Sequence, residues 1–319
     1  MKRWLKILAV MSAATFIAAC GSDDDDNPRP AAPVSIAETA QSAGLTALLA
    51  AATKAGLAPT LSDDSQNLTV FAPTDAAFTS MATSLGFADA GAMVDALSAS
   101  DLAKILQYHV LAGRKTAADL VAAGSVQPTL YSFDGSATTL AVNSSSGVKL
   151  TDAVLTEATV TTADVAATNG VVHVIDKVLV PPGVLNVVQM AQLNPAFSTL
   201  VGAVVSADLA ATLSGTGPFT VFAPTNAAFA SIASTVAGLS PTQLSTVLTY
   251  HVLADEVLST EIPFGVAVAT VSGQNITINA GTPPTITDTT PTAANIAATD
   301  IRGSNGVIHV IDKVLIPSL

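Results

Sequence analysis

Cysteine is almost missing from this chain: Cys20 is the only one in 319 residues. An intramolecular disulfide is excluded, and no thiol nucleophile exists elsewhere. Tryptophan is equally scarce, with Trp4 alone, and the tyrosines are Tyr108, Tyr131 and Tyr250. Stacking on a sugar ring would fall to Tyr and Phe. Basic charge is low: 12 Lys and Arg stand against 24 Asp and Glu, a net charge of -12. Nucleic acid is excluded as a partner, because phosphate neutralisation needs clustered Lys and Arg. There is no Gly-x-Ser-x-Gly elbow and no glycine-rich phosphate loop, so those enzyme classes have no foothold. The four histidines, His109, His173, His251 and His309, lack the spacing of a metal-binding helix. The sequence therefore implies no catalytic residue, no metal site and no cofactor.

What is abundant is apolar: half of the residues are hydrophobic. That supplies packed cores for about two domains at roughly 150 residues each. Ahead of them, Lys2, Arg3 and Lys6 form a basic start and Ile7 to Phe16 a short apolar run. The run falls short of the ~20 residues that a spanning helix needs. It fits a cleaved signal peptide over 1–19. Ile17-Ala18-Ala19-Cys20-Gly21 resembles a bacterial lipobox, which implies cleavage before Cys20 and lipidation of that residue. Gly21 in place of Asp resembles outer-membrane sorting. Residues 20–34, with the acidic run Asp23 to Asp26, read as a disordered tether.

The domains are organised around a stretch that occurs twice. Asn169-Gly170-Val171-Val172-His173-Val174-Ile175-Asp176-Lys177-Val178-Leu179-Val180-Pro181 returns from Asn305 to Pro317 with two Val-to-Ile exchanges, at Ile308 and Ile316. An internal repeat fixes the architecture before any other reading. The domains are 35–182 and 183–319, joined by Pro181-Pro182-Gly183, so short a joint that they should be closely apposed.

Each copy opens with two short helices, which Gly44 separates in the first. Thr69-Val70-Phe71-Ala72-Pro73-Thr74-Asp75 and Thr220-Val221-Phe222-Ala223-Pro224-Thr225-Asn226 predict a strand, a proline stop and a capped helix start. Leu102, Ile105, Leu106 and His109 fall on one helix face, as do their counterparts up to His251. Ser240, Pro241 and Gln243 predict a capping box. Further strands are expected at Thr139–Val142, Val148–Leu150 and Ile276–Ile278. On the closing strand His173 and Asp176 point to opposite faces. Between blocks the second copy is shorter by 9 and then by 6 residues.

Three blocks in fixed order resemble the fasciclin (FAS1) domain: Thr-Val-Phe-Ala-Pro-Thr-(Asp/Asn), then Tyr-His, then Gly-Val-(Val/Ile)-His-Val-Ile-Asp. The resemblance implies an α+β fold of two tandem domains, each a β-sheet wedge or sandwich with helices packed around it. It implies cell-surface adhesion without enzymatic activity, and in animal members the Tyr-His segment is implicated in integrin binding. Carried over, this makes Tyr108, His109, Tyr250 and His251 candidate binding residues, without integrin as the partner. Pro73, Thr74, Asp75 and His173, with Pro224, Thr225, Asn226 and His309, are expected to be structural. Each histidine is expected in the core near the Asp or Asn of the Pro-Thr turn. The partners expected are surface proteins or polysaccharides, with the membrane held through Cys20. Two alternatives stand beside adhesion: a structural spacer or biofilm-matrix component without a defined ligand, and a hydrolase using the repeat histidines.

Overall fold

The computed structural model describes residues 34–144 and 147–319, so the expected signal peptide, Cys20 and most of the expected tether lie outside the described residues. Domain 1 opens with α1 (Ile36–Ser42), α2 (Thr46–Lys54), α3 (Ala58–Leu61) and β1 (Leu68–Pro73). Three helices follow, α4 (Asp75–Ser84), α5 (Ala90–Ala96) and α6 (Ala99–Tyr108), then β2 (Val110–Ala112) and α7 (Ala117–Ala122). It closes with β3 (Val126–Phe133), β4 (Ser136–Asn143), β5 (Lys149–Thr151), β6 (Glu157–Ala167) and β7 (Gly170–Ile175).

Domain 2 repeats this plan. It runs through α8 (Val187–Gln192), α9 (Ser198–Ser206), α10 (Ala210–Leu213), β8 (Phe219–Pro224), α11 (Asn226–Ala230), α12 (Ala233–Ala237) and α13 (Pro241–Tyr250). Its strands continue with β9 (Val252–Leu253), β10 (Ala267–Ala269), β11 (Asn275–Asn279), β12 (Thr285–Thr287), β13 (Ala294–Gly303) and β14 (Gly306–Ile311).

Local chemistry explains the boundaries. Ser35 and Glu38 form a capping box at α1, and Gly44, at φ +70°, turns the chain into α2. Thr74 and Thr225 cap α4 and α11, and the Ser240–Gln243 box opens α13. The expected strands fall in β4, at β5 and in β11.

The seven strands of domain 1 run in the order β2-β1-β7-β6-β5-β4-β3, and those of domain 2 repeat it as β9-β8-β14-β13-β12-β11-β10. The repeated stretch supplies an interior strand of each sheet, with β7 parallel to β1 and β14 parallel to β8. That register sets His173 beside Phe71 and His309 beside Phe222, with ring centroids 5.6 and 5.7 Å apart. Both β7 and β14 are covered on both faces, as a central strand without polar alternation requires.

One apolar cluster runs through the helical layers of both domains, and each sheet has a second core of its own. The joint is tight, as its length demands. Gly183 donates its N–H to the carbonyl of Arg302, and Asn194 donates from Nδ2 to the carbonyl of Val154 at 2.8 Å. Arg302 pairs with Asp134 and lies 4.7 Å from the centre of the Phe133 ring.

Candidate functional site

The Tyr-His pairs close α6 and α13, where the apolar helix face meets the sheet. Tyr108, His109, Tyr250 and His251 are each at most 1% exposed. This departs from the expectation of a contact surface: the helix face that carries them is the face that packs inward. Tyr108 donates its hydroxyl to the carbonyl of Thr139 at 3.1 Å, and Tyr250 to that of Asn275 at 2.9 Å. Burial, reinforced by the negative charge of Asp152, pushes the Tyr108 hydroxyl well above its ordinary range. Both hydroxyls fasten a helix end to a strand.

The histidines are fully spent on the backbone. A carbonyl only accepts, so His109 donates from Nδ1 to Ile105 at 2.7 Å, and its Nε2 accepts the N–H of Leu179 at 2.9 Å. His251 repeats both bonds, with Val247 and Leu315. Burial lowers both rings from 6.5 to about 4, which keeps them neutral. His173 holds the opposite tautomer. Its Nε2 donates to Lys115 at 2.9 Å and its Nδ1 accepts the Asp164 N–H at 3.3 Å. His309 does the same with Val257 and Asp300, and burial lowers it too. No ring nitrogen is left over for a metal or for proton transfer.

The histidines are core residues, as expected, but their partners are main-chain groups and not the Asp or Asn of the Pro-Thr turn. Asp75 instead accepts the Ala47 N–H at 2.9 Å and the Thr46 hydroxyl, capping α2. Asn226 accepts the Thr199 N–H at 2.9 Å at the start of α9 and donates to the carbonyl of Pro195. Thr74 and Thr225 cap their own helices, and Pro73 and Pro224 end the strands that pair with β7 and β14. Each turn thus starts two helices.

Two features were not read from the sequence. Asp152 is buried and accepts the amides of Val154, Thr156 and Val180 together with Lys177 Nζ. Asp288 does likewise with Thr290, Ile316 and Lys313. Burial pushes the Asp288 carboxyl up, yet the bonds from Lys313, Thr290 and Ile316 outweigh it and hold it low. The Asp-to-Lys spacing of 25 residues in both copies was the available signal. The second feature is a left-handed aspartate in the long strand before each closing strand. Asp164 and Asp300, at φ +60° and +62°, sit in irregular registers and aim their N–H at a histidine.

Among the described residues, no three His, Cys, Asp or Glu side chains converge as a metal site requires. His109 borders an apolar cavity whose walls hold no second titratable side chain, the partner that a histidine-based hydrolysis needs. A second cleft, of mixed lining, lies at the domain joint with a volume of about 460 Å³; Ser80, Ser84, Glu157, Asp176, Lys177 and Gln192 supply its polar side.

Comparison with known proteins agrees with the repeat. The family described as Fasciclin domain matches residues 43–181 and 195–317. Protein sll1483 of Synechocystis sp. is 40% identical over 140 residues, covering 42% of this chain and 75% of that protein. Transforming growth factor-beta-induced protein ig-h3 of Sus scrofa is 35% identical over 158 residues, 49% of this chain but only 22% of that protein. Among solved structures, a FAS1 domain pair from the insect cell adhesion molecule Fasciclin I covers 86% of this chain and 97% of its own, at 20% identity and a TM-score of 0.43. Both copies of the repeat fall inside the matched residues, and the chain belongs to the fasciclin-domain family as a tandem pair of such domains.

Proposed function

We propose that this protein is a non-catalytic adhesion or ligand-display protein of the bacterial envelope, anchored in the outer membrane through lipidated Cys20. Family membership supports adhesion. The observation that carries the non-catalytic part is the state of the repeat histidines: every ring nitrogen is bonded to the main chain. The repeated blocks therefore serve as scaffold, and ligand contact falls to the exterior.

The surface assigned to contact is the cleft at the joint. Ser80, Ser84, Glu157 and Asp176 are exposed there beside half-buried Gln192. Hydroxyl, carboxylate and amide groups in one concave place are a donor and acceptor set suited to the hydroxyls of a polysaccharide. Surface proteins are the other partner class.

The test presents the purified protein to immobilised envelope polysaccharides, matrix glycoproteins and whole cells. Saturable binding is expected, weakened at least tenfold by Ser84→Arg with the melting temperature unchanged. A folded protein that binds none of them overturns the adhesion reading and leaves a structural spacer. In cells, Cys20→Ala should abolish fatty-acid labelling and membrane retention; retained labelling overturns the anchor.

A further inference from the structure

The two domains repeat five residues at their helix-to-sheet interface, yet the space around them differs. In domain 1, Leu48, Leu61, Val70, Leu106 and His109 line a cavity of about 380 Å³. Their counterparts Leu200, Leu213, Val221, Leu248 and His251 enclose about 30 Å³, space for a single water. These five match, but their surroundings do not: Val204 and Ile308 line the domain 2 space where domain 1 has the smaller Ala52 and Val172. What domain 1 adds is a wall from β3, which runs to Phe133 and packs against α6 and β2. The equivalent β10 has only three residues, Ala267–Ala269, and lies in the half of the repeat that lost 6 residues. Leu130, on β3, is 44% exposed at the cavity edge.

The chemistry of the lining narrows what could enter. No Lys, Arg, Asp or Glu borders the cavity, so a charged group has nothing to pair with inside. His109 offers ring carbon only, since both its nitrogens are bonded elsewhere. The polar groups on the walls are the Thr60 hydroxyl and the Gln107 amide, neither of which has a side-chain hydrogen-bond partner among the described residues. At a liquid-like share of ~30 Å³ each, the space holds roughly a dozen non-hydrogen atoms. It falls in the range of ligand sites, about 300–1,000 Å³.

We infer that domain 1 is a binding site for one neutral single-chain amphiphile. An unbranched aliphatic tail of about a dozen carbons would lie among Leu48, Leu61, Val70 and Leu106, with an uncharged alcohol head at Thr60 and Gln107. Among the described residues, the matching space of domain 2, about 30 Å³, is too small for that tail. The site is independent of the polysaccharide contact proposed for the joint.

The test is calorimetric titration of the purified protein with 1-dodecanol and, separately, with laurate, which has the same chain length and a charged head. Saturable binding of one dodecanol per chain is expected, at least tenfold tighter than laurate, with a rise in melting temperature. Thr60→Trp should weaken dodecanol binding at least tenfold by filling the mouth. Thr212→Trp, the same change at the matching exposed position of domain 2, should leave it unaltered. The assignment is overturned by the absence of saturable binding, by laurate binding as tightly as dodecanol, or by the two tryptophan variants behaving alike. Both positions are exposed, so neither variant is expected to fail to fold.

Discussion

His109 joins two parts of domain 1 that are 70 residues apart: its Nε2 accepts the amide of Leu179 while its Nδ1 holds the carbonyl of Ile105. His251 makes the same tie to Leu315 across 64 residues. The closing segment of each domain is thereby pinned to the end of the Tyr-His helix. His109→Ala leaves the Leu179 amide buried without a partner, which costs about 1–3 kcal/mol. Urea unfolding should show the loss as a lower midpoint at unchanged slope. A wild-type midpoint would show that the amide needs no acceptor.

The same two rings make stability depend on pH. Both are lowered from 6.5 to about 4 by burial. Between these values the unfolded chain takes up a proton at each ring and the folded chain does not. Their contribution is whole above pH 6.5 and is lost as the pH falls from 6.5 towards 4, on the order of a few kcal/mol per ring. Urea midpoints measured from pH 7.5 to 4.5 should decline, and His251→Gln should flatten the decline. A pH-independent midpoint over that span would contradict this account.

How much was legible beforehand follows the reach of each interaction. The caps at Thr74, Thr225 and Ser240 act over three residues, and the sequence displayed them directly. The central place of His173 and His309 showed as an apolar strand without alternation. The exposure assigned to Tyr108 and His109 came from resemblance, whereas helical spacing already put His109 on the apolar face. Asp152 was not found because its partners are brought together by the fold, with Lys177 25 residues away. The cavity of domain 1 was invisible for a related reason. Its counterpart repeats Leu48, Leu61, Val70, Leu106 and His109 as Leu200, Leu213, Val221, Leu248 and His251, so those residues do not announce it, and the wall from β3 is set by the fold.

Asp152 is the buried anion of domain 1, with three backbone amides and Lys177 converging on it. Asp152→Ala orphans the amides of Val154, Thr156 and Val180 at once and should cost about 2–4 kcal/mol. Lys177 is 25% exposed, so its replacement is much milder. Lys177→Met should cost about 1 kcal/mol, because water can take over part of the solvation. The comparison is read from paired urea curves. Equal losses would mean that the ion pair, and not the amide cluster, holds the loop.

Gly183 tests the joint itself. It sits at φ +72°, and a Cβ there would lie 2.0 Å from Cε2 of Phe133, the ring over which Arg302 rests while it pairs with Asp134. Gly44 has a similar φ of +70° but open space around it. Gly44→Ala should therefore cost only the left-handed backbone penalty, about 1–2 kcal/mol. Gly183→Ala should add overpacking of roughly 1–3 kcal/mol and push Phe133 off Arg302. With that contact between domains broken, calorimetry should resolve two melting transitions where Gly44→Ala shows one. The same cost and a single transition in both variants would mean that Phe133 moves freely and that the Arg302 contact does not couple the domains.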